Sequence, residues 1–167
     1  MTTTNATIGF WRRVVSLIYE SLLLLAIWFI ASFIFHLVFR DPAAVYFRPL
    51  FQFYLLVITG YYFTWFWTRG GQTLAMQTWK MRVITVDGYR LKMRQAMARY
   101  LLAVSGTLFP GVAGAIFFFW VTGGNMAFGV AGGILFSGFG FLWAIFDRDH
   151  QYLHDRLAGT QIVKVEN

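Results

Sequence analysis

The sequence predicts an all-α membrane protein with four transmembrane helices and a small cytoplasmic cap built from a β-hairpin or three-stranded sheet. Three observations carry this expectation. The 167 residues are 58% hydrophobic and only 13% charged, with a mean hydropathy of +0.58, whereas an ordinary soluble domain is about 25% charged. The apolar residues come in blocks about one bilayer thickness long. The basic residues flank those blocks instead of gathering on a soluble module, which favours membrane topology over nucleic-acid binding as the source of the +7 net charge.

Residues 21–39 form a run of nineteen without Lys, Arg, Asp or Glu, and residues 49–68 a run of twenty. Each fits the roughly 20 residues a helix needs to cross a bilayer. Residues 100–146 are uncharged over 47 positions. That is too long for one span, and the breaker run Thr122-Gly123-Gly124-Asn125 divides it into two. The expected helices are therefore 13–39, 49–68, 99–121 and 126–146, followed by a tail over 147–167, all in a single membrane domain, 1–167. The first block exceeds a signal-peptide core and no small-x-small cleavage site follows it, so it is expected to be retained.

Counting Lys and Arg gives the orientation. The N-terminus carries Arg12 and Arg13; the second loop carries seven (Arg69, Lys80, Arg82, Arg90, Lys92, Arg94, Arg99); the tail carries three (Arg148, Arg156, Lys164). These twelve stand against Arg40 and Arg48 in the first loop and none in the third. Basic residues accumulate on the cytoplasmic side, so both termini are expected there. Within the second loop, Gly70-Gly71 breaks the chain and residues 74–79 read as a short interfacial turn. The β-branched run from Lys80 meets Asp87-Gly88, the dipeptide of a type I′ turn, which predicts a hairpin over 80–92. A two-stranded ribbon is marginal alone, and the alternating segment Gln161-Ile-Val-Lys-Val165 is expected to add a third strand.

Glu20 is the most informative residue, because a carboxylate one or two turns inside a span is expensive and rarely faces lipid. Arg13, seven residues earlier on the same face, is its expected partner, with Ser16 between them as a hydroxyl bridge. Asp155 is expected to anchor the tail to the basic loop through Arg90, Arg94 or Arg99, with Gly159 as a left-handed helix cap. Asp147, His150 and His154 can share a helix face, and a His pair at i, i+4 is a weak zinc pattern. Small residues recur every four positions at Ala103, Thr107, Gly111 and Ala115, and at Gly129, Gly133 and Ser137, ridges that let helices approach closely in lipid. Pro110-Gly111 marks a candidate gap in the third helix. There are no cysteines, no nucleophile with its base, no P-loop and no dinucleotide fingerprint. The reading is of a protein that is not an enzyme and has no catalytic residue, cofactor or metal.

Three features together resemble the RDD family of bacterial membrane proteins. They are Gly9-Phe-Trp-Arg-Arg opening the first helix, Gly71-Gln-Thr-Leu followed by Val-Asp-Gly and an Arg-Tyr-Leu-Leu start to the next helix, and Leu153-His-Asp-Arg-Leu-Ala-Gly-Thr160. The family is named for an arginine at the start of the first helix, an aspartate within it and a second aspartate. The resemblance implies these roles for Arg12 or Arg13 and for Asp155; at the first aspartate's place this chain has Glu20, which keeps the charge on a longer side chain. It also implies a bacterial inner-membrane location and a suggested link to transport. Expected partners are the lipid bilayer, further copies of the chain in a homo-oligomer, since four short helices enclose little volume, and a cytoplasmic protein on the basic loop, but no nucleic acid. The leading functional expectation is movement or sensing of a small ion or ligand; the alternative is a membrane scaffold or assembly factor whose basic loop docks a partner or anionic lipid.

Overall fold

The computed structural model describes residues 10–138 and 153–165. Helix α1 spans Phe10–Val38, α2 Phe47–Arg69 and α3 Leu74–Thr78; strand β1 covers Met81–Thr85; α4 spans Met93–Val121, α5 Met126–Ser137 and α6 Leu153–Leu157; strand β2 covers Thr160–Lys164. The helices over 11–38 and 93–121 are long and apolar enough to cross a membrane. Their large apolar side chains point outward, with Phe29 74% and Phe109 76% exposed. A soluble protein would bury such side chains, whereas in lipid they are in their proper solvent.

The buried core lies in the cap at the basic end. Trp67 of α2, Met81 and Val83 of β1, Leu91, Ala96 and Tyr100 of the α4 approach, and Ile162 of β2 pack together there. Strands β1 and β2 are antiparallel, with Met81 opposite Lys164 and Thr85 opposite Thr160. Among the described residues the sheet therefore has two strands, and the expected hairpin over 80–92 and three-stranded cap are not what forms. The second edge of β1 is already occupied. Val83 N donates to Gly71 O at 2.7 Å, and Thr85 N to Tyr89 O at 2.9 Å, which leaves no row of groups for a returning strand. The Asp87-Gly88 turn is also of another type. Gly88 has φ +84° but Asp87 has no positive φ, and Gly88 N donates to Thr85 O at 2.9 Å. This is a type I turn with glycine at the left-handed position that follows it, whereas type I′ needs positive φ at both central residues. Beyond it the chain tucks Leu91 into the cap and enters α4.

Helix α4 accordingly starts at Met93, six residues before the expected 99. Lys92 is its N-cap, and the Gln95 side chain accepts from the Lys92 backbone at 3.0 Å. It passes Pro110 without a break. Helix α2 packs on α4 through Gly60, where an added Cβ would stand 2.8 Å from the Tyr100 ring; the Tyr100 hydroxyl donates to Leu56 O at 2.7 Å.

Among the described elements, the α4–α5 contact is the most extensive. The small-residue ridges meet there as expected through Gly111, Ala115, Gly129, Gly133 and Ser137, but the closest points are Gly114 and Gly132. A Cβ at Gly114 would lie 2.7 Å from Gly132 O, and one at Gly132 2.5 Å from the Phe118 ring. The expected fourth helix is described as far as Ser137; residues 139–146 lie outside the described residues.

Such a contact tolerates no added side chain. Gly132→Val is expected to lower the stability of detergent-purified protein by about 1–3 kcal/mol, the usual penalty of overpacking. Ala131→Val, on the exposed side of α5, should leave the melting temperature nearly unchanged. Equal melting of both variants would show that the glycine contact does not hold the hairpin.

Candidate functional site

Helix α1 carries three buried polar residues on one stripe. Arg13, Ser16 and Glu20 recur at helical spacing, and they are only 3%, 4% and 7% exposed. Arg12, the other candidate for the family arginine, is exposed. Two hydroxyls from distant parts of the chain reach the Glu20 carboxylate. Tyr62 on α2 donates to Oε1 at 2.7 Å, and the fully buried Thr73 donates to Oε2.

Thr73 is held there by its local sequence. It is the N-cap of α3, in an extended conformation, and its Oγ1 also accepts from Met76 N at 3.3 Å. A threonine hydroxyl has one proton to give and two lone pairs, so it can cap a helix and donate to a carboxylate together. The preceding Gly71 has φ +68°, and a Cβ on it would lie 2.7 Å from Val83 O; Gln72 Nε2 donates to Met81 O at 2.7 Å. Gly71-Gln72-Thr73-Leu74 is thus a connector that clamps the chain to β1 on one side and delivers a hydroxyl to α1 on the other.

The expected Arg13–Glu20 pair is corrected by this geometry. Among the described residues, no ion pair joins Arg13 to Glu20 and no hydrogen bond joins Ser16 to it. Seven residues put the two Cα atoms about 10 Å apart along the helix, and the hydroxyls of Tyr62 and Thr73 are the partners that reach the carboxylate.

A second polar cluster ties the tail to the cap. Of the three arginines expected to meet Asp155, Arg99 does so, with Nη2 2.7 Å from Oδ1 and both side chains buried. Arg90 and Arg94 are exposed. The Arg99 guanidinium lies 4.6 Å above the Trp67 ring, and its Nη1 donates to Thr160 Oγ1 at 3.3 Å. Thr160, the first residue of β2, donates in turn to Asp155 O at 3.3 Å. Gly159, φ +63°, is the left-handed cap between α6 and β2. His154 Nε2 stands 3.3 Å from Asp155 Oδ1. Burial pulls the imidazole below its usual range; Asp155 opposes this and the Arg99 guanidinium adds to it. Asp147 and His150, the other members of the histidine segment, lie outside the described residues.

The family model of the RDD family matches residues 7–159. The chain belongs to the RDD family. Neither a curated protein nor a solved structure matches it. In this RDD chain Glu20 is the acid held by Tyr62 and Thr73, and Asp155 is half of the Arg99–Asp155 pair. These two acids therefore sit in separate clusters. Tyr62, Thr73, Arg99 and Thr160 were not singled out as site residues by sequence, although Thr73 lies inside the family motif and Arg99 was one of three candidates for Asp155.

Two outcomes follow. Arg99→Met or Asp155→Leu alone strands a buried charge and should cost about 3–5 kcal/mol, while the double variant should lose less than the sum of the two; additive losses in a melting series would exclude the pair. For His154, the folded chain resists a proton that the unfolded chain accepts as pH falls through 6.5. Stability is then lost on acidification through that range. His154→Gln should flatten this part of the melting temperature against pH curve, and an unchanged slope would place the acid sensitivity elsewhere.

Proposed function

We propose that this RDD protein crosses a bacterial inner membrane four times with both termini in the cytoplasm, and that it moves or senses a proton or small hard cation at Glu20. The observation that carries the reading is the buried carboxylate itself, within a helix long and apolar enough to cross a membrane and met by a hydroxyl at each oxygen. Ionisable groups inside a span are costly, and those that persist mark ion pathways or structural pairs. Here the partners are neutral hydroxyls rather than a cation, so any charge on the carboxylate is left for a proton or metal ion to balance. A carboxylate with two hydroxyl oxygens is the donor set of a hard cation, which prefers oxygen.

The four-span arrangement is supported by the twelve basic residues that the sequence assigns to one side, against Arg40 and Arg48 on the other. Helix α2, 23 residues long, has the length of a span at about 1.5 Å per residue. The role is that of a carrier or sensor, not an enzyme, and its small size favours a homo-oligomer.

Proteoliposomes separate this reading from its competitor. Glu20→Gln should fold, because the amide oxygen can accept from one hydroxyl while the amide NH2 donates to the oxygen of the other, but should lower proton- or cation-driven flux to the level of empty liposomes. Tyr62→Phe should retain part of the flux. A well-folded Glu20→Gln protein with wild-type behaviour under every cation and pH gradient would remove the ion role and favour a scaffold whose basic loop docks a cytoplasmic protein. An alkaline phosphatase fusion after Asn167 should be inactive; activity would mean an odd number of spans.

A further inference from the structure

The α4 N-terminus extends beyond what a bilayer can contain. Its 29 residues measure about 43 Å at ~1.5 Å per residue, against a hydrocarbon core of about 30 Å. About two turns thus exceed the core, and the basic residues Arg94 and Arg99 assign that surplus to the N-terminal end. On this stretch Met93 is 53%, Met97 49% and Leu101 57% exposed. These residues are spaced by four, so they form one stripe that continues the outward apolar face of α4 through Leu108, 57% exposed. The apolar surface that faces lipid lower down thus runs without interruption to the top of the helix. There it meets Arg90, Lys92 and Arg94, all exposed.

The charges are in an unusual place. No acidic residue occupies the first turn of α4, although a helix N-terminus favours negative groups and disfavours cations. Three cations and the positive end of a helix dipole are left facing outward, beside a tip where Val86 is 66% and Tyr89 74% exposed. Asp87 is the one acid in the segment 86–97. Val86 and Tyr89 are held to the body of the cap, since Val86 N donates to Gly159 O at 3.1 Å and Tyr89 N to Thr85 Oγ1 at 3.0 Å. The patch is thus presented on a fixed scaffold. Exposed apolar and aromatic side chains interleaved with Lys and Arg, one to three turns from where a helix enters the bilayer, match an anionic lipid surface: the apolar groups enter the interface and the cations meet phosphate.

We infer that the tip of the cap and the first two turns of α4, through Arg90, Lys92 and Arg94 with Tyr89 and Met93, form a docking surface for anionic lipid headgroups. This rests on α4 crossing the bilayer but is independent of what Glu20 carries. A Lys or Arg near a charged membrane surface contributes about fivefold in affinity, so removing two of the three should weaken anionic-lipid binding by roughly 25-fold.

The test uses the full-length protein in nanodiscs of phosphatidylcholine alone or mixed with phosphatidylglycerol, with amide exchange read over residues 86–98 and lipid affinity read by native mass spectrometry. Phosphatidylglycerol should slow exchange in this segment, high salt should reverse the effect, and Arg90→Gln with Arg94→Gln should remove it and weaken phosphatidylglycerol binding. The charge-matched control, Arg40→Gln with Arg48→Gln, should keep it. Equal exchange in both lipids, an effect that survives loss of Arg90 and Arg94, or protection that requires an added cytoplasmic protein would overturn the inference. Because flux is not measured, failure here leaves the Glu20 reading untouched.

Discussion

Taking the Glu20 carboxylate out of water costs several kcal/mol unless other donors replace its hydration, and the hydroxyls of Tyr62 and Thr73 do so from 42 and 53 residues away. This requirement fixes more than one side chain. Tyr62 must present the α2 face that meets α1, and Thr73 must stand at the start of α3 with its proton free for the acid. That in turn needs the tight passage of Gly71 beneath Val83 O. Strand β1 is thereby bonded along one edge to the connector, and its other edge is left for the tail strand. A single buried acid thus links the orientation of the first two helices to the order of the cap sheet.

The molecule meets two solvents with two kinds of packing. In the cap, side chains of α2, β1, α4 and β2 bury a conventional apolar core, and the Arg99–Asp155 pair sits against it, stacked over Trp67. Along α4 and α5 burial of apolar area offers no gain against lipid, and cohesion comes from close backbone approach at Gly114 and Gly132. Loss of Asp155 therefore strikes the water-facing half, and a side chain at Gly132 the apolar half.

The sequence made the long helices legible because each requires an uncharged run about one bilayer thick. The ends were less visible. Nothing in the charge pattern announces that α4 begins at Met93, since its first turns carry Arg94 and Lys92 and read as loop; the Lys92–Gln95 cap was the local signal. Asp87-Gly88 marked a turn correctly but suits two turn types, and only the competition for the edges of β1 excludes a returning strand. Arg13 was the natural partner for Glu20 on helical spacing. Its true partners are uncharged, one inside an aromatic stretch and one in a connector, so no charge or period pointed to them. A Thr at the N-cap position of the Gly-Gln-Thr-Leu motif was the available signal for Thr73. Asp155 was narrowed to three arginines by the charge pattern, and only the structure, which buries Arg99 and leaves Arg90 and Arg94 exposed, chooses among them.

An acid so placed either carries charge in the protein's work or serves only to hold α1, α2 and α3 together. The two roles share every contact described above and differ in whether the carboxylate changes state. Infrared difference spectroscopy of the reconstituted protein, with the Glu20 band identified by its loss in Glu20→Gln, reads that state directly. The account predicts that the Glu20 carboxyl band shifts when protons or the transported cation are supplied while the protein remains folded. A Glu20 band that stays constant across every pH and cation the folded protein tolerates would contradict it.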